Sequence, residues 1–304
     1  MNADGETRWA RALASLDGLS VGDAFGERLF LDEDSIEARR EPHGRWRTTD
    51  DTEMAIAIVD ALRRDARIVE DTLARAFAGR FQVDPYRGYG PGARVVLMNI
   101  GGGIDWQEAA RAAFGGAGSM GNGAAMRVAP LGAFFADDVS AVIAEARRSA
   151  VVTHAHDDGQ AGAIAVAVAA ACAARAAGEL DPAAFFETVL AATPPGPTRV
   201  GIEQASRLPL ESPPLDAALE LGAGWKTICA DTVPFCLWIA ARHADDFGEA
   251  LWETVSVPGD RDTNCAIVGG IMGALVGREG IPDEWLAARE PLRHDLDLVA
   301  GKLS

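Results

Sequence analysis

Helical periodicity from one end of the sequence to the other is the feature that most constrains how this 304-residue chain can fold. Alanine is abundant, and the alternating runs of β-branched residues that indicate strands are scarce. In residues 52–64, Met54, Ile58 and Leu62 recur at every fourth position and form one apolar helix face. The sequence therefore predicts an all-α fold. Further helices are expected over 9–25, 68–80, 105–114, 123–135, 138–152, 157–178, 182–192, 213–221, 227–242, 246–256, 261–277 and 283–289.

Glycine and proline separate the predicted helices. The region 193–214 is the best candidate for a domain boundary or a long surface loop. Two acidic motifs lie on opposite sides of this region, however, and a length near 300 residues fits one large domain. We therefore expect residues 1–304 to form a single compact multi-helix bundle. The segments richest in glycine and proline are 84–92, 115–123, 194–198 and 207–214.

The net charge of the chain is −17. Such a surface repels nucleic-acid backbones and anionic membranes, so we expect neither as a partner. Residues 1–10 are polar and do not resemble a signal peptide. The apolar stretch 160–178 is rich in alanine and contains Arg175, which predicts a buried helix and not a membrane span.

The cysteines form no C-x-x-C pair. Cys229 and Cys236 are seven residues apart, about two helical turns, which is too far for a direct disulfide. We expect the cysteines to be small buried side chains in a reducing compartment, which predicts a cytoplasmic protein. They are Cys172, Cys229, Cys236 and Cys265.

The first acidic motif is Thr49-Asp50-Asp51-Thr52, at the start of a predicted amphipathic helix. A helix cap is the simplest interpretation, because Thr and Asp side chains accept hydrogen bonds from the first N–H groups of a helix. A cap needs only one such residue, and here four adjacent side chains carry oxygen. Two adjacent carboxylates repel each other unless a cation lies between them, and Mg²⁺ takes oxygen ligands. The motif is therefore a candidate metal site.

The second acidic motif, Gly259-Asp260-Arg261-Asp262-Thr263, also opens a predicted helix, and a capped buried helix is again the alternative. Asp260 and Asp262 flank a single residue, so both can converge on one centre while Arg261 points elsewhere. The helix that follows contains three glycines, each of which costs about 1 kcal/mol relative to alanine. These glycines indicate a close approach by another helix or by a ligand. They are Gly269, Gly270 and Gly273.

Together, the two motifs predict a centre for two divalent metal ions. They lie far apart in sequence, so only the fold can join them. Their side-chain oxygens could hold two ions, with water and substrate oxygens completing the coordination. A sugar with vicinal hydroxyls is a natural substrate for such a centre.

The glycine-rich segment 114–123 precedes a predicted helix. In such loops, backbone N–H groups can bind phosphates without adding basic charge, although a simple flexible loop is the alternative. No strand precedes the segment and no Gly-Lys-Ser/Thr follows it, so it is neither a dinucleotide fingerprint nor a Walker A loop. Arg127, just downstream, is a candidate partner for a buried carboxylate.

Two histidines and two acids occur together in Thr153-His154-Ala155-His156-Asp157-Asp158. A zinc site is one interpretation, but the spacing supplies no third soft ligand. A structural, hydrogen-bonded His154 is the other.

These segments, in this order, resemble the ADP-ribosylglycohydrolase family. The resemblance spans most of the chain and is most specific in the two acidic motifs taken together. It is carried by Gly18-Leu-Ser-Val-Gly-Asp-Ala-Phe-Gly26, Thr49–Thr52, Arg87-Gly-Tyr-Gly90, Gly118–Arg127, Thr153-His154 and Gly259–Thr263.

The resemblance implies the all-α bundle of that family and a binuclear Mg²⁺ site, with Mn²⁺ as the other candidate metal. It implies metal ligands at Thr49, Asp50, Asp51, Asp260, Asp262 and Thr263. It also implies an ADP-ribose site formed by Tyr89, Gly90, Phe114, Gly118, Ser119, Met120, Gly121, Asn122 and His154. Phe114 would lie beside the adenine, and His154 on the substrate side of the pocket. Met120 stands where some relatives have an aromatic residue.

The function that this implies is hydrolysis of the bond between ADP-ribose and a modified acceptor, either a protein side chain or a small molecule. One of Asp50, Asp51 and Asp262 would position or deprotonate the water that the metal ions polarise. The acceptor would leave through an oxocarbenium-like state. An arginine side chain is one expected acceptor.

One departure from the family concerns a glutamate that several relatives carry four residues after the glycine that matches Gly26. This chain has Phe30 at that position, and Glu27 lies one turn away. An ADP-ribose-binding module with little or no turnover is therefore a second hypothesis. A metal-free structural homologue is a third, which the intact aspartates oppose, and a metal-dependent phosphohydrolase is a fourth.

Overall fold

The computed structural model describes residues 3–176 and 178–294. Within these ranges the chain consists of helices and loops, with two isolated β-bridges and no strand. The predicted all-α fold is therefore confirmed. In chain order the α-helices are α1 (Ala3–Leu29), α2 (Glu33–Glu37), α3 (Asp50–Asp65), α4 (Glu70–Val83), α5 (Pro91–Gly101), α6 (Trp106–Ala112), α7 (Ala129–Phe134), α8 (Val139–Val151), α9 (Asp157–Ala176), α10 (Pro182–Ala192), α11 (Pro197–Ala205), α12 (Pro214–Leu221), α13 (Cys229–Arg242), α14 (Phe247–Ser256), α15 (Arg261–Val276) and α16 (Asp283–Ala288).

Helices α1 and α15 pack with their backbones in contact. Gly18, Gly22 and Gly26 recur at every fourth position of α1 and face α15. A Cβ atom on Gly22 would lie 2.0 Å from the carbonyl oxygen of Cys265, and one on Gly18 would lie 2.2 Å from that of Gly269. Only glycine allows this approach. The close helix contact predicted from the glycines of α15 is therefore confirmed.

Helix α9 runs through the core. It is long and apolar enough to cross a membrane by length and composition, yet 83% of its most apolar window is buried inside the structure. This is the pattern of a core helix, as expected for the alanine-rich stretch. The small side chains let neighbouring helices approach closely: a Cβ atom on Gly132 of α7 would lie 1.9 Å from the carbonyl oxygen of Ala167. The four cysteines are free and buried.

The predicted continuous helix over 123–135 is wrong. The structure has a 3-10 turn at Asn122–Ala124, and α7 begins only at Ala129. Pro130 lies in the first turn of α7, where its missing N–H costs no hydrogen bond. The interruption leaves Asn122 at the edge of the pocket described below.

The interpretation of 193–214 as a long surface loop is also wrong, whereas its interpretation as a domain boundary stays a prediction. This region contains α11, whose buried residues include Thr198 and Ile202. A Cβ atom on Gly201 would lie 2.5 Å from the ring of Pro234, so α11 packs directly on α13. Helices α2 and α5 were also not predicted. Both α5 and α11 begin with proline at a first-turn position, which is the sequence signal that was available. That residues 1–304 form one domain stays a prediction.

Gly22→Ala is expected to destabilise the protein, because the added Cβ would meet the backbone of α15 and force the two helices apart. The cost should be on the order of 1–3 kcal/mol or more. Gly79→Ala is the matched control, because Gly79 lies inside α4 with no atom within 4 Å of its would-be Cβ. That variant should stabilise by about 0.5–1 kcal/mol. Urea unfolding of both variants measures the change in the free energy of unfolding. Equal changes for the two variants would mean that the close contact between α1 and α15 does not restrict position 22 to glycine.

Candidate active site

The first acidic motif begins helix α3. Thr49 is the N-cap, and its hydroxyl accepts a hydrogen bond from the N–H of Asp51 at 3.3 Å. The predicted capping role is thus real, but it uses Thr49 alone. The carboxylates of Asp50 and Asp51 remain, and their side chains are only 7% and 1% exposed. Capping does not explain these two buried carboxylates.

Asp23, on α1, binds this motif through hydrogen bonds and was not identified from the sequence. Its carboxylate accepts hydrogen bonds from the N–H of Thr49 at 2.9 Å and the hydroxyl of Thr49 at 2.8 Å. It also accepts from the N–H and the hydroxyl of Thr52. Burial raises its pKa to about 6, although these hydrogen bonds act in the opposite direction. The available signal was an acid between the helix-facing glycines Gly22 and Gly26.

The second acidic motif begins α15. The amide of Asn122 donates a hydrogen bond of 2.7 Å to the carboxylate of Asp260, which links this motif to the glycine-rich segment. Arg261 points away from Asp260, as predicted. Its guanidinium donates to the carbonyl oxygen of Phe30 and to the carboxylate of Glu33 at 2.8 Å. Arg261 therefore joins the start of α15 to the end of α1.

One pocket of about 350 Å³ brings the two motifs together. It also contains parts of the glycine-rich segment and of the loop before α5. The predicted site residues that line it are Asp50, Asp51, Gly90, Phe114, Ser119, Gly121, Asn122, His154, Asp260, Asp262 and Thr263.

Four predicted site residues lie outside this lining. Thr49 lies behind it, with its hydroxyl oxygen 2.8 Å from the carboxylate of Asp51. Tyr89 is buried with its ring edge-on to Phe81. Gly118 has a φ of +75° and packs against the backbone of residues 155–156. Met120 is 38% exposed, and its carbonyl oxygen accepts from the N–H of Cys229.

The carboxylates of the pocket repel one another. Burial, followed by the charges of Asp23 and Asp260, raises the pKa of Asp50 to about 8. Burial and neighbouring carboxylates also hold the pKa of Asp51 and of Asp262 well above the ordinary value. One oxygen of Asp51 and one of Asp262 are buried without a hydrogen-bond partner. Buried carboxylate oxygens of this kind are what a hard cation would satisfy.

Carboxylates alone do not complete a metal site here. Across residues 3–176 and 178–294, no group of three or more His, Cys, Asp or Glu side chains is placed so that it could hold a metal ion. An ion at this position would therefore also need hydroxyl oxygens, for which Thr263 lines the pocket, or oxygens of water and substrate.

The glycine-rich segment is less open to a phosphate than the sequence suggested. Several of its N–H groups are already bonded within the protein. That of Gly118 donates to Ala113, that of Gly121 to the hydroxyl of Ser119, and that of Asn122 to Thr227. An anion bound here would need other donors. Phe114 projects from the same segment and is 66% exposed, with its ring against Gly92.

The loop 222–228 is a second part of the site that was not identified from the sequence. Gly224 packs on Asp260, where a Cβ atom would lie 2.4 Å from that of the aspartate. Thr227 lines the pocket in a left-handed conformation, with a φ of +51°, and binds the N–H of Asn122 through its carbonyl oxygen. The loop therefore fixes Asn122 and Asp260 relative to each other. The alternation of Gly222 and Gly224 was the only signal.

The zinc interpretation of 153–158 has no support in the structure. His156 accepts a hydrogen bond from the N–H of Asp158, and Asp158 in turn binds the N–H and hydroxyl of Thr198. These residues thus anchor the start of α11. The expectation that Arg127 pairs with a carboxylate is wrong, because its guanidinium donates to the carbonyl oxygen of Ser149 and to Thr153.

The family model of the ADP-ribosylglycohydrolases matches residues 4–304. The chain belongs to the ADP-ribosylglycohydrolase family. It is 32% identical over 287 residues to human ADP-ribosylhydrolase ARH3, covering 84% of this chain and 77% of that protein. It is 28% identical to the ADP-ribosylarginine hydrolase Tri1 of Pseudomonas putida (strain GB-1), over 91% of this chain and 73% of that one.

A solved structure described as an ADP-ribosylglycohydrolase-related protein complex has a similar fold. The TM-score is 0.66, with 26% sequence identity and 94% of each chain covered. The predicted resemblance and the all-α fold of this family are both confirmed, and so is the prediction that the chain is an ADP-ribosylglycohydrolase.

The departure at Phe30 has a clear structural setting within the family fold. Phe30 and Glu27 line a separate shallow hollow together with Arg28, Leu31 and Asp32. Neither of them lines the pocket of the acidic motifs. No glutamate is among the pocket-lining residues that the structure describes, so the carboxylates available for chemistry there are aspartates.

In metal-free buffer with EDTA, the protein should lose stability as the pH rises from about 5 to about 9. The pKa of Asp50 is raised to about 8 in the folded protein. Protonated Asp50 therefore contributes to the stability of the fold in full below the pKa that this side chain has in the unfolded chain, and the contribution is lost as the pH rises through 8. Asp262→Asn removes a carboxylate whose own pKa is raised and which also raises the pKa of Asp51, so it should make this loss smaller. Denaturant unfolding across the pH series measures both. Parallel profiles for the two proteins would contradict the mutual repulsion of these carboxylates.

Proposed function

We propose that the protein is a Mg²⁺-dependent hydrolase that releases ADP-ribose from a modified acceptor. The observation that carries the proposal is the pairing of two acidic motifs in one pocket, where Asp51 and Asp262 each keep a buried oxygen without a partner. Two adjacent divalent cations would satisfy these oxygens and offset the repulsion between the carboxylates.

The residues suited to hold the metal ions are Thr49, Asp50 and Asp51 on one side and Asp260, Asp262 and Thr263 on the other. A bound ion supplies charge stabilisation and lowers the pKa of a coordinated water. Asn122 holds the Asp260 carboxylate in place through its amide, and Asp23 holds Thr49 and Thr52. Of the carboxylates, Asp50, Asp51 and Asp262 are the candidates to orient the attacking water. Mn²⁺ offers the same preference for oxygen ligands.

The pocket is lined by the exposed aromatic ring of Phe114 and by the polar residues of the two acidic motifs. Phe114 is the candidate platform for the adenine, because its face is accessible and aromatic rings stack on bases. The acidic motifs would receive the distal ribose, whose vicinal hydroxyls can chelate a divalent ion. The acceptor would then leave from the acidic end.

The acceptor class that we propose is a protein side chain, with arginine as the leading candidate. Support comes from one relative that is named an ADP-ribosylarginine hydrolase. We further propose that the protein acts in the cytoplasm, since its four cysteines are free and buried.

The decisive assay follows ADP-ribose released from ADP-ribosylarginine and ADP-ribosylserine peptides, with Mg²⁺ and with EDTA. We expect release from one of the two peptides in the presence of Mg²⁺ and no release in the presence of EDTA. The double variant Asp50→Asn/Asp262→Asn should lose on the order of a hundredfold or more in rate, because a metal contributes several kcal/mol to the barrier.

Asp137→Asn is the matched control for the assay. Asp137 is exposed, and its ion pair with Arg11 lies outside the pocket. This variant should keep the wild-type rate. Full activity of the double variant, or equal rates in Mg²⁺ and EDTA, would refute the proposal.

A second candidate function is ADP-ribose binding without turnover. The observation that favours it is the absence of any glutamate from the described pocket lining, with Phe30 at the position where several relatives carry one. Calorimetry with ADP-ribose separates the two functions. Tight binding together with no release from either peptide would favour the binding module, and phosphate release would instead indicate a phosphohydrolase.

A further inference from the structure

A chain of hydrogen bonds runs from a buried arginine to the pocket. The Nη2 group of Arg127 donates to the hydroxyl of Thr153 at 2.8 Å, and that hydroxyl lies 2.8 Å from Nδ1 of His154. All three side chains are buried, with exposures of 0%, 2% and 6%. All three residues also line the pocket. A change at Arg127 can therefore alter how His154 meets a ligand, through the two hydrogen bonds that join them.

The direction of the second hydrogen bond follows from counting hydrogens. A guanidinium can only donate, so the Thr153 oxygen accepts from Arg127. If it also accepted from Nδ1, its own hydrogen would need another acceptor. Among the residues that the structure describes, the Thr153 hydroxyl has no other acceptor. A buried hydroxyl hydrogen without an acceptor is unfavourable. Thr153 therefore donates to Nδ1 of His154.

This arrangement leaves the hydrogen of the neutral imidazole on Nε2. Burial, together with the charge of Arg127, lowers the pKa of His154 to about 3, so the ring is neutral at physiological pH. The Nε2 group faces the backbone of the glycine-rich segment. A Cβ atom on Gly123 would lie 3.3 Å from it, and one on Gly121 would lie 3.5 Å from it. Among the described residues Nε2 has no hydrogen-bond partner, and His154 lines the pocket.

Arg127 has an unusual environment for a structural arginine. It is fully buried without a carboxylate hydrogen bond, and burial lowers its pKa to about 9. Its remaining contacts are weak: Nη1 lies 3.4 Å from the sulfur of Met54, and the guanidinium lies 4.3 Å from the ring centre of Phe77. Burying a charge in this way is costly. The hydrogen bonds that it does make go to Ser149 and Thr153, at the position that orients His154.

We infer that Arg127 and Thr153 are positioning residues that lock His154 as the Nε2–H tautomer, so that His154 donates a hydrogen bond to an oxygen of the bound ADP-ribosyl group. The second half of this statement rests on the proposed function, whereas the tautomer does not. The class of ligand atom is fixed by the donor: Nε2–H binds a phosphate, hydroxyl or ring oxygen and cannot bind a cation.

The tautomer can be read directly in the free protein. Histidine labelled with ¹⁵N gives distinct chemical shifts for protonated and unprotonated ring nitrogens, and a His154→Gln variant identifies the His154 signals among the five histidines. In the wild type at neutral pH, Nε2 should be protonated and Nδ1 unprotonated. In Thr153→Val, which removes only the hydroxyl, the ring should move to the Nδ1–H form or to a mixture. Thr153→Ser, which keeps the hydroxyl, should restore the wild-type signals.

The consequence for the ligand is measured by calorimetry with ADP-ribose. Thr153→Val should weaken binding by about three- to tenfold, the range expected for one neutral hydrogen bond, and Thr153→Ser should bind like the wild type. Thr254→Val is the matched control, since Thr254 is equally buried but bonds only to the carbonyl oxygen of Ala250 within α14. This control should change neither the His154 signals nor the affinity.

The outcomes separate the two proposals. A wild-type spectrum with Nδ1 protonated overturns the inference by itself, even if Thr153→Val fails to fold. A shifted tautomer with unchanged ADP-ribose affinity overturns the role toward the ligand. A wild type that has the expected tautomer but neither binds ADP-ribose nor releases it from any peptide overturns the proposed function and, with it, the role toward the ligand.

Discussion

The backbone contact between α1 and α15 is the constraint on which the site depends. Gly26 lies so close to the start of α15 that a Cβ atom there would be 2.4 Å from the carbonyl oxygen of Arg261 and 2.7 Å from the Cα of Asp262. One turn earlier on α1, Asp23 binds Thr49 and Thr52. A single glycine-lined helix pair therefore holds both acidic motifs. Any side chain larger than hydrogen in this contact would separate them.

The assembled pocket is electrostatically costly for the protein alone. The buried aspartates raise one another's pKa, and two of their oxygens have no hydrogen-bond partner. A fold tolerates such a cluster where function requires it, and strongly shifted carboxylates in a cleft are typical of functional sites. The surrounding contacts hold the cluster in place from three directions: Asp23 on α1, Asn122 on the glycine-rich segment and the loop 222–228 against Asp260.

Two of the buried arginines near the site, Arg261 and Arg127, have different roles. Arg261 is paired with Glu33 and ties the start of α15 to the turn that carries Phe30. Arg127 has no hydrogen bond to a carboxylate; it donates to Ser149 and Thr153, which precede His154 in the chain. Arg261 stabilises the helix pair that brings the aspartates together, and Arg127 orients the neutral imidazole of His154 in the same pocket.

The sequence by itself determined the helical fold class, the two acidic motifs, the two segments that carry Phe114 and His154, and the direction of Arg261. These follow from local signals: periodicity, capping residues and side-chain chemistry that recur over a few positions. Only the tertiary structure identified Asp23, the loop 222–228 and the contacts of Arg127, and it corrected the helix at 123–135 and the connection at 193–214. The partners of Asp23, of the loop 222–228 and of Arg127 lie far away in the chain. An aspartate between two glycines of α1, or a threonine in a glycine-containing loop, has only a weak local signature, because its role is set by what packing brings beside it.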